Sequence, residues 1–306
     1  MKRKLLFLVV IVFQFGIKNS KAQQLPLYSQ YIWNDYVINP AFTGAAGVSP
    51  IQLSYRKQWM GFNGSPETIT LGGHTVIRKT MGLGGMVFKD ATGGAFSQMG
   101  VLINYAYRIL FNRKSSLAFG ISAQLNQYCF NSNQINALDN NDIALQTGKQ
   151  TGFIPDVSFG MLYQYKKQLK IGIAVNQLMQ SRLKKINRNE LSINQHIAHY
   201  NLMAFYTIGI NELFDLKPSV LLQATAITPV QIDAGARLEY KRMIWFGMSY
   251  RHKDALVTML GIQHRNIVIS YSYDVALSAI RSTSLGSGEL MIGYHIPVKK
   301  KGRSSR

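Results

Sequence analysis

Charged side chains are scarce in this 306-residue chain, so those lying inside strongly apolar stretches raise the first question of chemistry. Asp233, Arg237 and Glu239 alternate with Ile232, Ala234, Ala236, Leu238 and Tyr240, and Arg251 ends a second alternating stretch, Ile244, Phe246, Met248, Tyr250. A helix would scatter these charges around its circumference, whereas a strand places them on one face. Charges on a buried wall must be paired, so Asp233, Arg237, Glu239 and Arg251 read as one structural network rather than a ring selecting solutes. His196 and His199 are three apart, and on a strand they point to opposite faces, which argues against joint metal ligation. Asp139-Asn140-Asn141-Asp142 lacks the glycine and final glutamate of a calcium loop. Gly82-Leu83-Gly84-Gly85 lacks phosphate-loop spacing, and its glycines read as relief of crowding in a wall. The sequence holds no His-Glu-x-x-His, Gly-x-Ser-x-Gly or Cys-x-x-Cys. The expectation is a non-enzymatic protein without cofactor or bound metal.

The elements that carry these residues repeat with period two. Leu117, Phe119, Ile121, Ala123 and Leu125 alternate with Ala118, Gly120, Ser122, Gln124 and Asn126, and Ile267, Ile269, Tyr271 and Tyr273 with Val268, Ser270 and Ser272. The apolar faces are aliphatic at the centre and often end in Tyr, as at a lipid interface, while the opposite faces are small and polar, as in a wet or filled lumen. This predicts an all-β fold, an outer-membrane antiparallel β-barrel of about 14 strands. They are expected near 49–57, 66–77, 81–89, 98–110, 115–128, 156–166, 168–177, 197–210, 216–227, 229–240, 242–251, 255–263, 264–273 and 287–297. Long connections at 59–65, 90–97, 131–155, 178–196 and 275–286 alternate with short ones at 78–80, 111–114, 167, 241 and 264. In such barrels long loops lie outside and tight turns in the periplasm.

Composition narrows the class. Only 16% of residues are charged while 47% are hydrophobic, and 34 Lys+Arg against 14 Asp+Glu give a net charge of +20. The aromatic content excludes disorder, and the single cysteine excludes a disulfide scaffold. Lys2, Arg3 and Lys4, the apolar run from Leu5 and the small-x-small site Ser20-Lys21-Ala22 read as a signal peptide over 1–22, and export removes nucleic acid as a partner of the basic charge. Residues 23–48 form a Tyr/Asn/Pro-rich segment that needs a docking surface, and the polar lumen supplies one, expected at its periplasmic side. The barrel occupies 49–298, and 299–306 are a basic tail.

The motifs of that segment carry a resemblance. Tyr28-Ser29-Gln30-Tyr31, Asn34 and Asn39-Pro40-Ala41-x-x-Gly44 precede Tyr55-Arg56-x-Gln58-Trp59. Ile154-Pro155-Asp156, Lys217-Pro218-Ser219, Gly247-x-Ser249-Tyr250-Arg251 and Tyr271-Ser272-Tyr273-Asp274 follow in order. The chain resembles the PorP/SprF-like outer-membrane proteins of the type IX secretion system in Bacteroidetes. It departs from them at Gly286-Ser287-Gly288-Glu289, where a Gly-Ser-His-Glu is expected, and in its basic tail.

The resemblance implies a non-enzymatic barrel that works with type IX secretion components, with outer-membrane lipid and lipopolysaccharide around it. It also implies a role in exporting a large secreted adhesin, held at the surface through its C-terminal domain, and hence in gliding motility. The contrasting class is an outer-membrane solute channel or hydrophobic-ligand transporter with an N-terminal plug. Arg182, Lys184, Lys185 and Arg188 fall in one long connection and form a candidate outer contact for lipopolysaccharide phosphates or an acidic cargo domain. If the long connections face outward, a cysteine at Asn141 or Lys185, in a Cys129→Ser background, will react with an impermeant maleimide on whole cells. One at Asn112 will not. The opposite pattern inverts the topology.

Overall fold

The computed structural model describes residues 27–132, 148–166, 168–181 and 196–297. Its strands are β1 (Ser49–Lys57), β2 (Glu67–Arg78), β3 (Met81–Thr92), β4 (Phe96–Leu110), β5 (Ser115–Asn131), β6 (Lys149–Tyr165), β7 (Leu169–Asn176), β8 (His199–Tyr206), β9 (Ile208–Gly209), β10 (Phe214–Thr225), β11 (Gln231–Tyr240), β12 (Ile244–Arg251), β13 (Ala255–His264), β14 (Ile267–Ala276) and β15 (Ser287–Ile296). β8 and β9 both pair with β10 and are two pieces of one wall strand. Each strand pairs antiparallel with its neighbour, and β1 pairs with β15, which closes a 14-strand barrel.

Closure removes the free edges that an open sheet would expose, and the alternation decides which face turns inward. In β1, Ile51, Leu53 and Tyr55 are exposed while Gln52, Ser54 and Arg56 are buried. Tyr107, Tyr165, Tyr206, Tyr240 and Tyr294 are exposed toward the short-turn end, and Tyr55, Tyr200 and Tyr250 toward the long-connection end. Two aromatic girdles thus flank an aliphatic band, the arrangement that lipid contact requires. Buried residues therefore include many serines, asparagines and charges, which no soluble core would gather.

Two elements differ from the sequence expectation. β14 lies three residues later, at Ile267–Ala276 rather than 264–273, because Arg265 (φ +52°) and Asn266 form the turn between His264 and Ile267. β6 starts at Lys149 rather than 156, extending the hairpin with β5 well beyond the top of β7. The segments 1–22, 182–188 and 299–306, read as signal peptide, outer cluster and basic tail, lie outside the described residues.

Candidate functional site: the charged anchor of the lumenal segment

The lumen is filled by the chain's own N-terminal segment. Tyr31, Tyr36, Ile38, Ala41 and Phe42 pack with wall residues Met86, Phe88, Ala118, Leu162, Met203 and Leu221 in one buried cluster. The sequence places this segment at the periplasmic, short-turn side, whereas the polypeptide runs along the lumen from one end to the other. Ser29 sits among Arg56, Asp274 and Glu289, near the long-connection ends of β1, β14 and β15. Gly44 sits beside His74 of β2 and Gly82 of β3, close to the short turn between those strands.

At the upper end Ser29 is a junction. Its Oγ donates to Asp274 Oδ2 (2.7 Å) and accepts from Arg56 Nη1 (2.8 Å) and Arg251 Nη2 (3.2 Å), while its N–H donates to Glu289 Oε2 (2.8 Å). Arg56 pairs with Asp274 at 2.8 Å and Glu289 at 3.5 Å. Arg251 pairs with Asp233 at 3.3 Å, Asp274 at 3.2 Å and the half-exposed Asp254 at 3.4 Å. Tyr31 adds a hydroxyl to Asp233 (3.1 Å), and Gln30 donates to the Glu289 carbonyl (2.8 Å) and accepts from Ser270. Two arginines and three acids, each at most 4% exposed, are thus tied together by Ser29, Gln30 and Tyr31 of the Tyr28-Ser29-Gln30-Tyr31 motif. Buried charges of this kind persist only when paired and hydrogen-bonded.

The four-residue network expected from sequence splits in two. Asp233 and Arg251 join the anchor. Arg237 and Glu239 lie deeper, paired at 2.6 Å with Lys217 also on Glu239 (2.5 Å), and Arg237 stacks on Trp33 at 4.4 Å. The split follows from strand geometry, since Asp233 opens β11 while Glu239 is near its other end. Sequence reasoning left Asp274 and Glu289 out of the network. Each stands on the polar face of an alternating stretch, which was the available signal.

The lower half of the segment docks by shape. Pro40–Phe42 forms a short 3-10 turn whose first amide, Ala41 N–H, donates to the Asn39 side chain (2.9 Å). Asn39 Nδ2 then donates to the carbonyls of Met161 (3.1 Å) and Ile173 (3.2 Å) in the β6 and β7 ladder. Such approach requires glycine: a Cβ on Gly120 would meet Ala41 and Pro40, and one on Gly160 would meet Asn39. Asn34 is buried and its carbonyl accepts from Val37 (3.3 Å), and Gly44 adopts φ +73° with its N–H on His74 Nδ1 (3.0 Å). In the first-strand motif Tyr55 faces lipid, Arg56 enters the anchor, Gln58 N–H donates to Pro66 (2.8 Å) and Trp59 N–H to Ser287 Oγ (3.1 Å).

A third buried cluster was absent from the sequence reading. His196 leaves the wall before β8 and bonds Asp156 through Nδ1 and Tyr128 through Nε2 (2.7 Å). His199 instead bonds the Ile197 carbonyl (2.8 Å), so the two histidines serve separate neighbours. Among the described residues no group of three or more His, Cys, Asp and Glu is placed to hold a metal.

With the barrel and its filled lumen in view, comparison with known proteins becomes decisive. The family of type IX secretion system membrane proteins PorP/SprF matches residues 20–294. The chain belongs to the PorP/SprF family. That family is one of secretion-system membrane barrels and not an enzyme family, and it sets the protein in the outer membrane as a component of type IX secretion. No curated protein matches the chain. Among solved structures, the CymD monoaromatic hydrocarbon channel is similar at 12% identity and TM-score 0.52, over 91% of this chain and 95% of that one. The P. putida toluene transporter TodX is similar at 9% identity and TM-score 0.50, over 87% and 94%. At such identity these neighbours speak for the barrel fold alone.

The PorP/SprF anchor generates a stability ranking. Arg56→Met strands Glu289, leaves Asp274 to Arg251 alone, and should cost about 3–5 kcal/mol. Ser29→Ala removes hydrogen bonds to charged groups but no charge and should cost about 1.5–3 kcal/mol. Urea unfolding of the barrel in lipid vesicles will give that order. Equal, small losses would show that the anchor holds nothing.

Proposed function

We propose that this PorP/SprF barrel is a closed surface scaffold, which assists export of a large secreted adhesin and holds it through its C-terminal domain. The observation that carries this reading is the lumen packed with the chain's own Tyr31, Tyr36 and Phe42, which leaves the barrel to act through its rims rather than through a passage. The anchor residues Tyr28, Ser29, Gln30, Tyr31, Arg56, Asp233 and Arg251 fix that closed state. Asn34, Asn39, Pro40 and Gly44 seat the segment in the wall. In this reading residues 1–22 direct export and are removed, and the surface role extends to adhesion and gliding motility.

Arg182, Lys184, Lys185 and Arg188 supply the outward charge for an acidic cargo domain or lipopolysaccharide phosphates. Exposed contacts of this kind are each worth under ~1 kcal/mol and weaken with salt, so they act only together. Replacing all four with serine should lower surface-retained cargo more than replacing Lys299, Lys300, Lys301, Arg303 and Arg306, at matched barrel levels. Equal retention in both variants would remove the outer cluster from the account.

A further inference from the structure

A closed barrel should have no free strand edge, yet among the described residues the upper part of β6 pairs with a strand on one side alone. Its ladder with β5 runs from Asn131↔Lys149 to Ser115↔Tyr165, whereas its ladder with β7 covers only Phe159 to Tyr165. Residues 149–158 therefore have a strand on one side and, among the described residues, none on the other. Backbone groups of an antiparallel strand point to alternate sides along the chain. Two bonds fix which is which. Lys166 N–H donates across to Lys114 of the β5 side (2.6 Å), and Val157 C=O accepts from Leu178 on the β7 side (2.9 Å). Even-numbered residues of β6 thus bond β5, and odd-numbered ones face away.

The odd-numbered residues are treated differently along this edge. Val157 is closed, its N–H donating to Asp156 Oδ1 (2.7 Å) and its carbonyl taken by Leu178. Pro155 has no N–H to leave unpaired, the usual device of an edge strand. Phe153 and Thr151 present both N–H and C=O, and no hydrogen bond engages these groups among the described residues. The outward side chains change from Val157, Pro155 and Phe153 to Thr151 and Lys149, so the edge rises from the apolar band toward the long-connection end. Phe153 is 60% exposed beside it.

We infer that the β6 edge from Thr151 to Pro155 is an acceptor for an extended, acidic strand of a partner protein. Strand addition of this type takes its affinity from main-chain bonds and its selectivity from alternate side chains. Here Phe153 supplies an apolar contact and Lys149 a cation. Charge selects the occupant. A second copy of this chain brings the same excess of Lys and Arg over Asp and Glu and the same Lys149, so homotypic pairing is opposed, whereas an acidic strand is attracted. The inference concerns backbone donors and stands apart from the identity of any cargo.

The test uses the full-length barrel in detergent micelles and a dye-labelled peptide of alternating Val and Glu. Matched peptides carry Lys in place of Glu, or N-methyl groups on alternate residues. The Glu peptide should bind, and Phe153→Pro or Thr151→Pro should weaken it about tenfold, since each deletes an edge donor without touching the β5 ladder. N-methylation of the peptide should cost as much, and it tests the same bonds if a proline variant fails to fold. Absence of binding, equal binding of the Lys peptide, indifference to methylation, or disulfide-linked dimers of a Phe153→Cys, Cys129→Ser variant would each overturn the inference.

Discussion

The interior of this protein depends on the neutralisation of two buried arginines. Arg56 and Arg251 approach one another from β1 and β12 across the mouth of the barrel, and neither is tolerable there alone. Asp274 is shared between them, Glu289 and Asp233 complete the balance, and the Ser29 hydroxyl accepts from both guanidinium groups while donating to Asp274. A wall network alone would leave donors and acceptors pointing into an empty lumen. The N-terminal segment answers them, which explains why a Tyr-Ser-Gln-Tyr motif is found where a free tail would otherwise begin.

The other end of the segment is held by a different kind of constraint. Asn39 and Pro40 reach the wall only because Gly120 and Gly160, directly paired across β5 and β6, leave their side-chain space empty. Asn39 then bonds carbonyls that already belong to the sheet, so the segment is stitched to the ladder itself. Electrostatics fixes one end and shape the other. Between them Tyr31 and Phe42 are buried against the wall, with Trp33 in contact with both Trp245 and Arg237.

The wall was legible because strand alternation is a local signal. The alternating stretches that carry the outward Ile, Leu and Tyr face lipid where a period of two puts them, and the turn at Arg265 comes late because His264 continues the strand before a two-residue turn. The anchor was less legible because its members meet only after closure. Arg56 lies directly opposite Glu289, a pairing that exists only once β1 meets β15. Asp274 reaches Arg56 through one further strand, and no local pattern announces that register. The Tyr128, His196 and Asp156 cluster escaped for a related reason: His196 belongs to a connection rather than to a strand face, so periodicity says nothing of where it points.

The interior of this PorP/SprF barrel is committed to holding the N-terminal segment. Residues 28–44 are an integral part of the folded barrel. Hydrogen exchange of the intact protein in lipid vesicles tests it most directly. The amides of Ser29, Ala41, Phe42 and Gly44 should exchange as slowly as those of the β1 and β15 ladder, and Arg56→Met should release Ser29 first. Exchange of all four at the rate of the exposed turn at Asn112 and Arg113 would contradict the account.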